Sequence, residues 1–225
     1  MKSVFLGKKL LFLIAHPDDE TYLAVGTILK NAQKGGQTVI VCATAGEHGK
    51  AHLKKTVSKK QLKTIRKKEL QAVSTFACVD KLHILDFPDT KILKHGERLK
   101  LKMLGFIKKY SPDYLISFGL DGVTGHLDHI ACSRVARQVS KEAKIPCIRF
   151  CAAPVLVSAG GDWLQSRRTH GRYAPFGNHT KPKIKVKVDP EFKYKCFCLH
   201  ESQQPLKNMP QSVLKHILNY EYFCD

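Results

Sequence analysis

No stretch of this chain approaches the roughly 18 to 20 consecutive apolar residues that a membrane-crossing helix requires. The longest apolar run near its start, Leu10 to Ala15, ends after six. Lysines precede that run, but His16-Pro17-Asp18-Asp19-Glu20 follow it, where a leader-peptide cleavage site wants small neutral residues; it therefore reads as a strand. Cysteine occurs without a pattern: eight residues are scattered from Cys42 to Cys224 and no CxxC appears, which excludes a disulfide scaffold as the organising principle. Most of them fall in apolar segments, where a free thiol behaves as a small hydrophobe, so a cytoplasmic, reducing location is expected. Glycine and proline are also few, 15 and 10 in 225 residues, and 43% of the chain is hydrophobic, which excludes disorder as its main description.

Acids are scarce too. Nineteen Asp+Glu face 38 Lys+Arg, a net charge of +19, and the excess is uneven. Residues 50–109 hold 17 basic and five acidic side chains, whereas three acids stand consecutively at positions 18 to 20. The basic surface and the acidic cluster are separate features.

What is present is an alternation of elements. Lys9 to Ala15, Thr38 to Ala43, Lys81 to Leu85, Tyr114 to Phe118 and Cys147 to Cys151 are apolar runs of strand length. Between them Thr21–Lys34, Val57–Ala77, Leu99–Tyr110 and Leu127–Ser140 have helical spacing, as Leu62, Ile65, Leu70, Val73 and Phe76 illustrate. Continuous apolar strands separated by helices demand a parallel sheet covered on both faces. The expected fold class is therefore α/β: a Rossmann-like, open, mostly parallel sheet in a single domain spanning 1–225. Residues 158–182 lack periodicity and read as an irregular insertion. Ile184 to Val188 alternates as a half-exposed strand, and Phe192–Glu201 and Val213–Tyr222 read as helices.

In such a sheet, ligands bind where strands end and loops begin. Four such points carry polar groups: His16 to Glu20, Thr44 to His48, Asp86 to Asp89, and Gly119 to His129. His16 and Asp19 stand three apart across a turn that Pro17 holds out of strand geometry, so an imidazole and a carboxylate can converge on one ion. The adjacent Asp18 and Asp19 repel each other unless a cation is near. His126 and His129 add two imidazoles three apart, with Asp128 between them able to orient one. Singly each group is ordinary, and Asp18 and Asp19 also suit a helix N-terminus. Their conjunction after strands of one sheet points to a metal site.

The string Ala15-His16-Pro17-Asp18-Asp19-Glu20, with Gly125-His126-Leu127-Asp128-His129 later, resembles the AHPDDE and GHPDH motifs of the PIG-L/LmbE family of zinc-dependent N-acetylglucosaminyl deacetylases. Thr44, Gly46 and Glu47 resemble its T-x-GE loop, Arg66 and Glu69 its R-x-x-E helix, Asp86 to Asp89 its acidic turn, and His200 to Gln203 its late H-x-SQ element. Leu127 stands where the motif has proline, and Thr124 where some thiol-pathway members have tyrosine. The resemblance implies an LmbE-like fold and removal of an acetyl group from a GlcNAc-containing substrate. It implies Zn²⁺ held by His16, Asp19 and His129, with Asp18 as general base. His126 would stabilise the oxyanion, kept protonated by Asp128, and either Asp18 or His126 would protonate the leaving amine. Arg66, Asp89, Glu47 and His200 would bind substrate, while Glu20 reads as a helix N-terminal acid.

Two other readings remain at this point. A metal-dependent hydrolase of a different amide uses the same constellation. A nucleic-acid-binding protein would explain Lys50 through Lys68, although that stretch has no interleaved aromatics and no recognition motif, so no specific nucleic-acid partner is expected. The expected partner is a small N-acetylated amino sugar, with weak attraction to anionic membranes and self-association left open.

Overall fold

Strand β1 (Lys9–Ile14) is buried at every residue except Lys9, because it lies in the middle of the sheet and is flanked on both edges. In the computed structural model, which describes residues 4–154, 181–203, 206 and 209–225, β1 pairs in parallel with β2 (Gln37–Cys42) and with β4 (Tyr114–Phe118). Strand β3 (Lys81–Ile84) adds in parallel outside β2, and β5 (Cys147–Phe150) outside β4. Strands β6 (Ile184–Lys187) and β7 (Tyr220–Cys224) complete seven strands in the order β3-β2-β1-β4-β5-β7-β6, with β7 antiparallel to both neighbours. This is the mixed, mostly parallel α/β sheet that the apolar runs predict. The insertion expected around 158–182 lies, but for its last two residues, outside the described residues.

Among the described residues the α-helices are α1 (Asp19–Leu23), α2 (Val25–Gln33), α3 (Lys59–Phe76), α4 (Gly96–Tyr110), α5 (Leu127–Ala143), α6 (Pro190–Leu199) and α7 (Gln211–Asn219). Helix α4 packs on α5, and α6 packs against α1, α2 and α3. Helix α3 begins with a capping box in which Ser58 accepts from the Gln61 amide while the Gln61 side chain accepts from the Ser58 amide. No helix among the described residues is long and apolar enough to cross a membrane.

Two elements differ from expectation. The single helix expected over 21–34 is two, broken at Ala24, whose φ of −154° is not helical. The break lets the first amides of α2 find another acceptor: Gly26 and Thr27 donate to the Glu221 carboxylate of β7 at 2.9 and 2.7 Å. Lys193 of α6, fully buried, neutralises that carboxylate at 2.8 Å and donates to the Tyr22 carbonyl. The helix expected over 213–222 ends at Asn219, and Tyr220–Cys224 becomes β7. In the strand the side chains alternate: Phe223 enters the main core while Tyr222 and Cys224 join a second apolar cluster with Cys151.

Candidate active site

The order of strands reverses between β1 and β4, so a crevice opens at their carboxyl ends. The turn after β1 supplies His16, Asp18 and Asp19; the loop before α5 supplies His126, Asp128 and His129. His16 Nδ1 lies 3.3 Å from His129 Nε2, Asp19 Oδ1 lies 3.2 Å from that same His129 nitrogen, and Asp19 Oδ2 lies 3.8 Å from His16 Nδ1. All three side chains are buried.

Each of these groups is anchored by its other end. The Asp19 Oδ2 atom accepts from the amides of Ala15 (3.1 Å) and His16 (2.8 Å), which leaves Oδ1 to face His129. His129 Nδ1 lies 3.0 Å from the Gly122 carbonyl, so it is the donor and Nε2 carries the lone pair. His16 Nε2 lies 3.2 Å from both Asp128 Oδ2 and Asp89 Oδ1, again leaving Nδ1 with the lone pair. Burial would lower the His16 pKa, but the bonds to Asp128 and Asp89 outweigh it and raise the pKa well above the usual value, so an ion bound at Nδ1 takes the place of a proton there. Desolvation works against an ionised Asp19, yet His129 and His16 hold its pKa below the ordinary carboxylate range.

Donor atoms on a tetrahedron with bonds of about 2.0–2.1 Å to a central ion stand about 3.3 Å apart. The His16–His129 and His129–Asp19 separations of 3.3 and 3.2 Å match that spacing, and a His₂Asp set suits zinc. Donor atoms of His16, His126 and His129, and of His16, Asp89 and Asp128, also lie within 4.8 Å of one another. His126, however, spends Nδ1 on the Asp128 amide (3.1 Å), and Asp89 and Asp128 accept backbone amides. The residues therefore fit an ion at His16, Asp19 and His129.

Asp18 has φ +103° and ψ −23°, a conformation rarely taken by a residue with a side chain. Its carboxylate is about one-fifth exposed and 3.2 Å from the Arg66 guanidinium. Burial pushes its pKa up to about 6; Arg66 opposes the rise and Asp19 adds to it. His126 is driven the other way, to about 2, by burial and by the neighbouring His16 and His129. With Nδ1 accepting from the backbone, the proton of the neutral ring sits on Nε2.

Several side chains are placed differently from the sequence reading. The Asp128 carboxylate accepts from the amides of Thr90 (2.7 Å) and Ile92 (3.1 Å) and orients His16, while His126 meets the Asp128 backbone amide. Asp89, 3% exposed, binds His16 and accepts the His48 amide at 2.7 Å, so it is turned inward. Arg66 is buried against Asp18, Gly46 and Pro17. Glu47 Oε1 accepts the Asp89 amide at 3.1 Å, while its Oε2 is buried without a hydrogen bond. His200 is fully buried and donates to Glu20 at 2.7 Å. Glu20, read from sequence as a helix N-terminal acid, also accepts the Asp18 amide at 3.0 Å. Glu69 receives the Ser202 amide and hydroxyl at 2.7 and 2.8 Å, tying the late His-Glu-Ser-Gln element to α3. The pairing of Glu20 with His200 had no signal beyond a third acid in a run, because its partner stands 180 positions away.

The profile of the PIG-L family, described as GlcNAc-PI de-N-acetylase, matches residues 11–140, more than half of the chain. The protein belongs to the PIG-L family. A probable N-acetyl-alpha-D-glucosaminyl L-malate deacetylase 2 from Bacillus anthracis is 29% identical over 126 residues, 55% of each chain. The N-acetylglucosaminyl-phosphatidylinositol de-N-acetylase of Bos taurus is 27% identical over 146 residues, 62% of this chain and 53% of that one. The chain thus spans about half the length of these relatives. Among solved structures, the N,N'-diacetylchitobiose deacetylase from Pyrococcus horikoshii shares the fold with a TM-score of 0.69 at 21% identity, over 99% of this chain and 85% of that one. The PIG-L profile ends at residue 140, yet His200 and Ser202 buttress the same site from beyond it.

Proposed function

We propose that this protein is a zinc-dependent hydrolase that removes the acetyl group from an N-acetylglucosamine-type sugar. The observation that carries the reading is the convergence of His16 Nδ1, Asp19 and His129 Nε2, each fixed from behind so that its free donor atom faces the same point. Zinc bound there supplies a Lewis acid that polarises an amide carbonyl and makes water acidic enough to deprotonate near neutral pH.

The remaining work falls to the chain. Asp18, next to the metal ligand and with its pKa pushed up to about 6, is ionised at neutral pH yet basic enough to take a proton from water. Returned to the amine nitrogen, the same proton makes the leaving group viable. The neutral His126, with its proton on Nε2, can donate to the developing oxyanion without carrying charge. On this reading the acid role falls to Asp18 rather than His126. The sugar preference follows the relatives, whose names specify N-acetylglucosaminyl substrates. A cytoplasmic site of action agrees with eight free cysteines, five of them buried.

The test is metal analysis followed by amine release from N-acetylglucosamine, its α-linked conjugates, chitooligosaccharides and nucleotide-linked sugars. Chelation should abolish turnover and zinc restore it. Asp18→Asn should keep zinc but lose roughly two to four orders of magnitude in kcat. Turnover indifferent to complete metal removal, or an Asp18→Asn variant at the wild-type rate, would overturn the respective assignment.

A further inference from the structure

Asp18 takes a backbone angle, φ +103°, that a residue with a side chain rarely adopts, and the direction of its carboxylate follows from that angle. Both of its backbone polar groups are tied down. The carbonyl accepts from the amides of Thr21 and Tyr22 in α1 at 3.0 and 3.1 Å. The amide donates to Glu20 Oε2 at 3.0 Å. Arg66, 3.2 Å from Asp18 Oδ2, meets the carboxylate itself, so the amide side of the turn depends on Glu20.

Glu20 is 1% exposed, and a carboxylate that deep is costly unless its oxygens are engaged. Both are. Oε1 accepts from the Thr21 hydroxyl at 2.7 Å and from His200 Nε2 at 2.7 Å, which leaves Oε2 for the Asp18 amide. His200 is fully buried at the carboxyl end of α6, 180 positions from Glu20, and ties that end of α6 to the turn after β1. An acid serving only to cap α1 could reach back to the same amide from water, with no partner behind it.

We propose that Glu20, held from behind by His200, is a positioning residue for Asp18: its Oε2 fixes the amide of the base, and with it the turn that aims the carboxylate. Two acceptor oxygens are required. A glutamine has one, and its nitrogen must face either the Asp18 N–H or the His200 donor. The metal ligand is held by another route, since Asp19 Oδ2 accepts from the amides of Ala15 and His16 ahead of the turn, so the effect falls on the base and spares the ion. The inference rests on Asp18 acting as the base, as argued under the proposed function.

The experiment compares Glu20→Gln, Glu20→Ala and His200→Gln with the zinc-loaded wild-type protein in three measurements: steady-state kinetics on the sugar the wild type deacetylates, zinc affinity by chelator competition, and amide exchange at Asp18. Misplacing a base by about 1 Å costs roughly 100-fold, so kcat should fall by about that factor in the Glu20 variants and by about 10-fold in His200→Gln, where the carboxylate stays but loses its support. KM and zinc affinity should stay within about 3-fold, as expected when only transition-state geometry is lost. Exchange at Asp18 should quicken in all three. The deciding arm places Glu20→Gln in an Asp18→Asn background: residues that act as a unit are not additive, so kcat should fall there by less than about 3-fold. An undiminished loss on top of Asp18→Asn would mean that Glu20 acts by another route and would overturn the proposal. So would a raised KM with unchanged kcat, a zinc affinity that falls as far as kcat, or unchanged exchange at Asp18 in His200→Gln. Should the Glu20 variants fail to fold, the double variant is made with His200→Gln and read in the same way. A wild type with zinc but without turnover would defeat the deacetylase reading instead, and exchange at Asp18 in His200→Gln would still decide the role of Glu20.

Discussion

Asp128 and Asp89 converge on one ring N–H, that of His16 Nε2, at 3.2 Å each. Two buried carboxylates on one donor are costly unless positive charge lies on the far side of the ring, where the proposed ion sits. Their effect on chemistry should therefore pass through the metal. Replacing either with asparagine removes negative charge and puts an amide where a pure acceptor stood, and loss of such an outer partner typically weakens zinc by about 10- to 100-fold. Chelator competition on Asp89→Asn and Asp128→Asn measures this directly, and the double variant should fall short of additivity because both act through one hydrogen bond. Affinities equal to wild type would remove the orienting role. The ligand candidates themselves are legible in the sequence, since His16, Asp19 and His129 follow apolar runs that could only be strands. The tasks of Asp89, Asp128 and Arg66 are not, because which ring nitrogen a carboxylate meets, or whether a guanidinium points inward, is set by packing between segments dozens of residues apart.

At the scale of elements, the parallel half of the sheet is readable because each central strand is apolar on both faces, a pattern only a doubly covered sheet satisfies. Strand β7 is not, since Val213 and Ile217 set a helical period that runs into Tyr220, and only pairing with β5 and β6 selects the extended form. The contact between α1 and the turn after α6 has a consequence for stability. Burial disfavours a charged His200, but the Glu20 carboxylate 2.7 Å away outweighs it and raises the pKa above 6.5. Folding therefore favours proton uptake by His200. The stabilisation is complete below pH 6.5 and is lost as pH rises through the higher folded value. Thermal unfolding of the zinc-loaded protein and of His200→Gln should show the widest gap in Tm below pH 6.5, narrowing toward pH 9; a gap independent of pH would mean the pair is held without charge.

Across the whole molecule the +19 charge lies apart from the chemistry, yet part of it stands at the same end of the sheet. Lys50, Lys54 and Lys55 on the loop after β2 and Lys91 and Lys94 on the loop after β3 are exposed, and those loops also carry Glu47, His48 and Asp89 of the site. Lysines of that kind cannot alter bond-breaking inside a buried cluster, because over such distances in water their field is screened within about 8 Å at physiological salt. What they can alter is capture: a crevice rimmed by one sign of charge raises the encounter rate of oppositely charged substrates. For a phosphate- or carboxylate-bearing acetamido sugar, kcat/KM should fall by about 5- to 10-fold between low and high salt, the loss appearing in KM, while a neutral sugar changes by less than about 2-fold. Steady-state kinetics on one neutral and one anionic conjugate across a salt series separate the cases. Equal responses would reduce the lysines to solvated faces of α3 and its loop, whereas a steep dependence confined to the anionic conjugate would tie the charge to the choice of substrate.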